Sequence, residues 1–155
     1  MNVEINKQAR LSQHFTLGEL CKTSTKMADG NIPSRVHIEN LKRLCGWLEL
    51  LRSEWNKRYG EGNDPIIINS GYRSEAVNKA VGGVPSSNHL SGCAADIKVA
   101  GIEQLVRYAA ILLDISDERL QRIPGGMYHW LFNRMAVQDL YCHISKHLKW
   151  AFGSK

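Results

Sequence analysis

A histidine and an aspartate, His89 and Asp96, lie seven residues apart in Ser87-Asn88-His89-Leu90-Ser91-Gly92-Cys93-Ala94-Ala95-Asp96. An imidazole nitrogen and a carboxylate oxygen both suit Zn²⁺, at about 2.0–2.2 Å from the metal. The residues between them are mostly small, so a tight loop can bring both side chains to one point. A catalytic zinc site has three protein ligands and an open position for water. Near the C-terminus, Tyr141-Cys142-His143-Ile144-Ser145 sets a histidine in an otherwise apolar strand pattern. A lone strand histidine is more often a packing residue, but beside the upstream pair His143 is the natural third ligand. His147 shares its strand parity and His129 falls on the preceding strand, so both stay open as alternatives.

These side chains need a scaffold. Thr16 followed by Glu19 has the capping-box pattern of a short helix start. From Ser34 to Tyr59, Leu41, Leu44, Cys45, Leu48, Leu51 and Trp55 recur at three- and four-residue steps, which predicts one long amphipathic helix. Gly60 to Pro65 breaks the chain. Ile66-Ile67-Ile68 reads as a buried strand delivering Ser70-Gly71-Tyr72-Arg73-Ser74, and a brief helix over 75–80 ends at Gly82-Gly83. A second strand is expected over 95–99, with Asp96 and Lys98 on one face and Ile97 and Val99 on the other. Ile102, Leu105, Val106, Ala109, Ala110 and Leu113 predict another amphipathic helix. Met127–Phe132 and Leu140–Ser145 read as two antiparallel strands. Helices followed by a small, mainly antiparallel sheet give an α+β fold.

The chain has 155 residues, 43% hydrophobic and 23% charged, enough for one domain with an ordinary core. Residues 1–13 are polar and are expected to form a loose arm before a domain over 14–150. No apolar run approaches the ~20 residues of a membrane-spanning helix, so no membrane insertion is expected. The start, MNVEINKQARLSQHF, shows no secretory signal, which implies a cytoplasmic protein or release by another route. Net charge is +5 and the pI is near 9.1. That suits anionic wall polymers, and the scattered Lys and Arg argue against a nucleic-acid partner. Cys21, Cys45, Cys93 and Cys142 form no CxxC pair and read as free thiols, and a monomer is the default.

The segments Ser70-Gly71-Tyr72-Arg73-Ser74, Asn78, Val81-Gly82-Gly83 and Ser87-x-His89-x-x-Gly92-x-Ala94-x-Asp96, then an aromatic-x-His-x-Ser strand, closely resemble the zinc D-Ala-D-Ala carboxypeptidases and their endolysin relatives, the L-alanyl-D-glutamate endopeptidases. Phe15-Thr16-Leu17-Gly18-Glu19-Leu20 and Asn40-Leu41 match the small single-domain branch, so the resemblance covers roughly residues 12–145. It implies the zinc DD-peptidase fold, shared in outline by hedgehog signalling domains. It also implies zinc as cofactor, held by His89, Asp96 and His143, and peptidoglycan peptides as substrate. Arg73 would receive a substrate carboxylate through its bidentate guanidinium fork. Ser87 would orient His89 or the substrate, while Asn78 and Gly82-Gly83 would shape a turn.

One position departs from the pattern. The family places an acid, the general base, three residues before the last histidine, and here that residue is Leu140. Asp139 has the strand parity of His143 and is the candidate catalytic acid and base; a solvated loop position is the competing reading. The expected activity is therefore zinc-dependent hydrolysis of stem peptides, in a phage-type lysis or wall-remodelling setting. An inactive zinc-containing wall-peptide binder and a structural zinc domain are the alternatives.

Overall fold

The computed structural model describes residues 6–26, 28 and 30–121. The chain divides after Lys98 into two compact units. Within the first, α1 spans Leu17–Leu20, α2 Arg35–Arg58, β1 Ile68–Ser70, α3 Glu75–Ala80 and β2 Asp96–Ile97. Helices with a small antiparallel two-stranded sheet make an α+β arrangement. In the second unit the described element is α4, Ile102–Gln121. No described helix is long and apolar enough to cross a membrane. The strands expected over Met127–Phe132 and Leu140–Ser145 lie outside the described residues.

Local signals set these boundaries. Thr16 caps α1 with a reciprocal box: its hydroxyl accepts from the Glu19 amide at 3.3 Å, and the Glu19 carboxylate accepts from the Thr16 amide at 2.8 Å. Ser34 caps α2 in the same way, with His37 taking the place of the usual Glu. Tyr59 closes α2, its amide donating to the Trp55 carbonyl at 2.8 Å. The apolar stripe of α2 is buried at Leu41, Cys45, Leu48, Leu51 and Trp55, while Leu44 sits at its half-buried margin.

The segment expected to be a loose arm is tied down from Asn6 onward. Leu17 and Gly18 donate to the carbonyls of Ala9 and Lys7, Arg10 bridges Thr16, and the Ser12 hydroxyl reaches Glu49 on α2 at 2.6 Å.

Ile66 and Ile68 are buried but Ile67 is 50% exposed, so this run alternates faces and is not buried throughout. Ile68 pairs with Ile97 and Ser70 with Asp96. A regular ladder would set Asp96 opposite Asn69; the extra residue on β1 is a bulge that sets it opposite Ser70 instead. The second strand is shorter than the expected 95–99, although the Lys98 amide still donates to the Ile67 carbonyl.

In α4 the apolar stripe is rotated from expectation. Tyr108, Ile111 and Ile115 are buried, whereas Ile102, Val106 and Leu113 are about half exposed. This helix carries apolar residues around much of its circumference, so spacing alone admits more than one inward face.

Candidate metal centre

Residues 84–96 form a chain of tight turns. The amides of Ser87, Leu90, Gly92 and Cys93 donate to the carbonyls of Val84, Ser87, His89 and Asn88. The Asn40 side chain on α2 donates to the Ser91 carbonyl at 2.8 Å and pins the loop to the helix. Beside it Gly92 has φ +74°, and a Cβ there would meet the His37 carbonyl oxygen at 2.9 Å and Leu41 Cγ at 3.3 Å. Gly92 is thus demanded by backbone conformation and by close approach together. Asn78 shapes the preceding turn, donating to the Val84 carbonyl at 3.0 Å with Gly83 packed on its amide.

His89 is only 9% exposed. Its Nδ1 lies 2.6 Å from the Gly71 carbonyl oxygen. A carbonyl can only accept, so Nδ1 carries the hydrogen and the ring orientation is fixed. Gly71 has no room for a side chain, because a Cβ would collide with the Leu20 carbonyl of α1. The opposite nitrogen, Nε2, faces Asp96 Oδ1 at 3.3 Å. The other carboxylate oxygen, Oδ2, accepts from Arg73 Nη2 at 2.7 Å, and Arg73 Nε donates to Ser70 Oγ at 3.0 Å. The Arg73 amide donates to the His89 carbonyl at 3.0 Å. Ser87 Oγ accepts from the His89 amide at 3.4 Å, so it steadies the backbone of the histidine. Arg73, the expected carboxylate receptor, is thereby found gripping Asp96 with one edge of its guanidinium.

The donor set fits a tetrahedral metal. With bonds of about 2.0–2.1 Å, two ligand atoms of a tetrahedral ion stand ~3.3–3.4 Å apart, and His89 Nε2 to Asp96 Oδ1 is 3.3 Å. Nε2 presents a lone pair once Nδ1 holds the hydrogen. Its partner is anionic, so this gap favours a cation. The carboxylate behind it is oriented by Arg73, as outer-shell partners of metal ligands commonly do. Among the described residues no cluster of three metal-binding side chains forms, since His89 and Asp96 supply two. His143, its alternatives His129 and His147, and Asp139 with Leu140 lie outside the described residues. Cys21 and Cys45 are buried free thiols, and Cys93 Sγ approaches the Ser91 carbonyl at 3.9 Å.

Asn31 was not anticipated from the sequence. It is 1% exposed and adopts φ +53°. Its Nδ2 donates to the carbonyls of Cys21 and Tyr72 at 3.0 and 3.1 Å, and its Oδ1 accepts from the Ser74 amide at 2.7 Å. The Gly30-Asn31 pair is the one local signal in the sequence, because Asn tolerates the left-handed region better than most residues.

The chain is 30% identical over 84 residues to a zinc D-Ala-D-Ala carboxypeptidase of Streptomyces albus G, a stretch covering 54% of this chain and 31% of that protein. It therefore spans about a third of the length of this curated relative. No solved structure matches. A family model for Peptidase M15 matches residues 13–114, a span that takes in α1, α2, Arg73, His89 and Asp96, and the chain belongs to the peptidase M15 family.

Proposed function

We propose that this protein is a zinc metallopeptidase that hydrolyses peptidoglycan stem peptides, of the D-Ala-D-Ala carboxypeptidase or L-Ala-D-Glu endopeptidase type, on a hedgehog-like scaffold. The observation that carries the reading is the 3.3 Å gap between His89 Nε2 and Asp96 Oδ1, with the ring tautomer fixed by Gly71 and the carboxylate held by Arg73. His89 and Asp96 would hold the metal, with His143 as third ligand. Zinc, when bound, supplies Lewis-acid polarisation of a carbonyl and a water acidic near pH 7.

The chain's own residues do the rest. Arg73 uses Nε and one Nη2 hydrogen on Ser70 and Asp96, which leaves the Nη1 end of the guanidinium for a substrate carboxylate. One arginine thus ties the anchoring of substrate to the orientation of a ligand. Ser87 keeps the His89 backbone in register. Asp139 is the carboxylate assigned to take the proton of the attacking water and return it to the leaving amine. A basic chain meeting an anionic wall is consistent with this substrate class.

The test is mass spectrometry of products after incubating the zinc-loaded chain with purified peptidoglycan, beside His89→Ala. New fragments from the unsubstituted protein alone identify the bond, and Asp139→Asn then tests the base. Stoichiometric zinc with no fragments from several wall types would refute hydrolysis and leave a peptide-binding protein.

A further inference from the structure

We infer that Asn31 is the positioning residue for Arg73 and, through Arg73, for the Asp96 carboxylate; the inference rests on reading this site as a metal centre. Tyr72 contributes the carbonyl just before Arg73 and Ser74 the amide just after it, and the two ends of the Asn31 amide bond these two groups at 3.1 and 2.7 Å. Asn31 therefore brackets Arg73 as a neighbouring strand would. The remaining backbone groups here have partners: the Tyr72 amide donates to the Leu20 carbonyl and the Arg73 amide to the His89 carbonyl. Ser70 then sets the side chain through Nε. Only with its backbone and Nε both fixed does Nη2 fall on Asp96 Oδ2, leaving Oδ1 to face His89.

The environment makes this amide hard to replace. Asn31 is buried, so its removal leaves the Tyr72 and Cys21 carbonyls and the Ser74 amide without their partner inside the protein. Its third bond, to the Cys21 carbonyl, anchors it to the end of α1. Its φ of +53° is one that glycine also adopts freely, so Asn31→Gly deletes the amide without straining the turn. Asn31→Asp keeps the turn and the acceptor for Ser74, but turns a carboxylate oxygen toward the carbonyls of Tyr72 and Cys21.

The experiment uses the full chain and reads zinc affinity, by competition with a chelator, and the Arg73 Nε–H signal by NMR without metal. Asn31→Gly should weaken zinc binding about 10-fold, the scale typical of outer-shell partners. On an Arg73→Ala background the same substitution should cost nothing further, because the route through Arg73 is already gone. The Arg73 Nε–H, sheltered on Ser70, should lose its protection in Asn31→Gly while the protein still melts cooperatively. Additive losses in the double variant would overturn the inference, as would unchanged zinc affinity and an unchanged Arg73 signal. Should Asn31→Gly not fold, Asn31→Asp carries the same measurements; if neither folds, Asn31 is a structural residue and the inference falls. A wild-type chain that takes up no zinc would sink the peptidase reading, while the Arg73 signal would still decide the role of Asn31.

Discussion

Two glycines offer a matched pair for asking what the loop between His89 and Asp96 requires. Gly82 and Gly92 have nearly the same backbone, φ +72° and +74°. Around Gly82 nothing lies within 4 Å of an added Cβ, whereas at Gly92 the His37 carbonyl oxygen would be 2.9 Å away and Leu41 Cγ 3.3 Å. Alanine at either position bears the left-handed strain, roughly 1–2 kcal/mol. At Gly92 the new methyl must also push against the backbone of α2, which cannot rotate away as a flexible side chain would; overpacking of this kind adds about 1–3 kcal/mol. Gly82→Ala should therefore cost about 1–2 kcal/mol and Gly92→Ala about 2–5 kcal/mol. Urea unfolding followed by far-UV circular dichroism measures both. Zinc affinity should fall with Gly92→Ala, which lies between the proposed ligands His89 and Asp96, and hold with Gly82→Ala. Equal destabilisation would refute the close approach to α2, and a neutral Gly82→Ala would refute the conformational half of the argument.

Two further outcomes concern the scaffold. The Glu49 carboxylate is partly shielded, which alone would raise its pKa, but bonds from the Ser12 hydroxyl and from the His14 ring and amide outweigh that and hold it below its ordinary value. A depressed folded-state pKa contributes stability above the unfolded value and loses it as pH falls through the folded one. Glu49→Gln should thus cost up to about 1 kcal/mol near neutrality, with the difference from wild type closing in acid; a gap that widens on acidification would contradict the sign. Burial pushes the Cys21 and Cys45 thiols up to about 12. In the native protein at mildly alkaline pH, mass-resolved alkylation should leave both unmodified and label them only on unfolding; rapid native labelling of Cys45 would mean that α2 opens at Leu41–Leu48.

How much of this was legible in the sequence depends on the range of the signals involved. α2 could be read to the residue, because Ser34, the apolar spacing and the Gly60–Pro65 break all act within a helical turn or two. The capping box at Thr16 and the short helix over 75–80 were equally local. The His89–Asp96 pair was readable because its chemistry and spacing sit in ten consecutive residues. The role of Arg73 toward Asp96 was not, since it depends on a bulge in β1 that leaves no mark in residue type. Asn31 was missed because its partners are ten to forty-three positions away, and a lone asparagine in a polar loop looks like any turn residue. The inward face of α4 went astray where apolar residues surround the helix and periodicity loses its direction.

The turn carrying Arg73 and the loop carrying His89 exchange hydrogen bonds in both directions: Gly71 receives from the histidine ring and the histidine carbonyl receives from Arg73. For anyone wishing to retune such a centre, this reciprocity means that Gly71, Arg73, His89 and Asp96 behave as a single component and cannot be adjusted one at a time. Substitutions among them should be strongly non-additive, with the first releasing most of what the rest could release. Useful variation is to be sought outside this set. Val81 and Val84 point half or more into solvent beside the loop, and the backbone of Val84 is already held by Asn78 and Ser87. A library confined to those two positions would vary exposed side chains at the start of this loop while leaving those four residues intact.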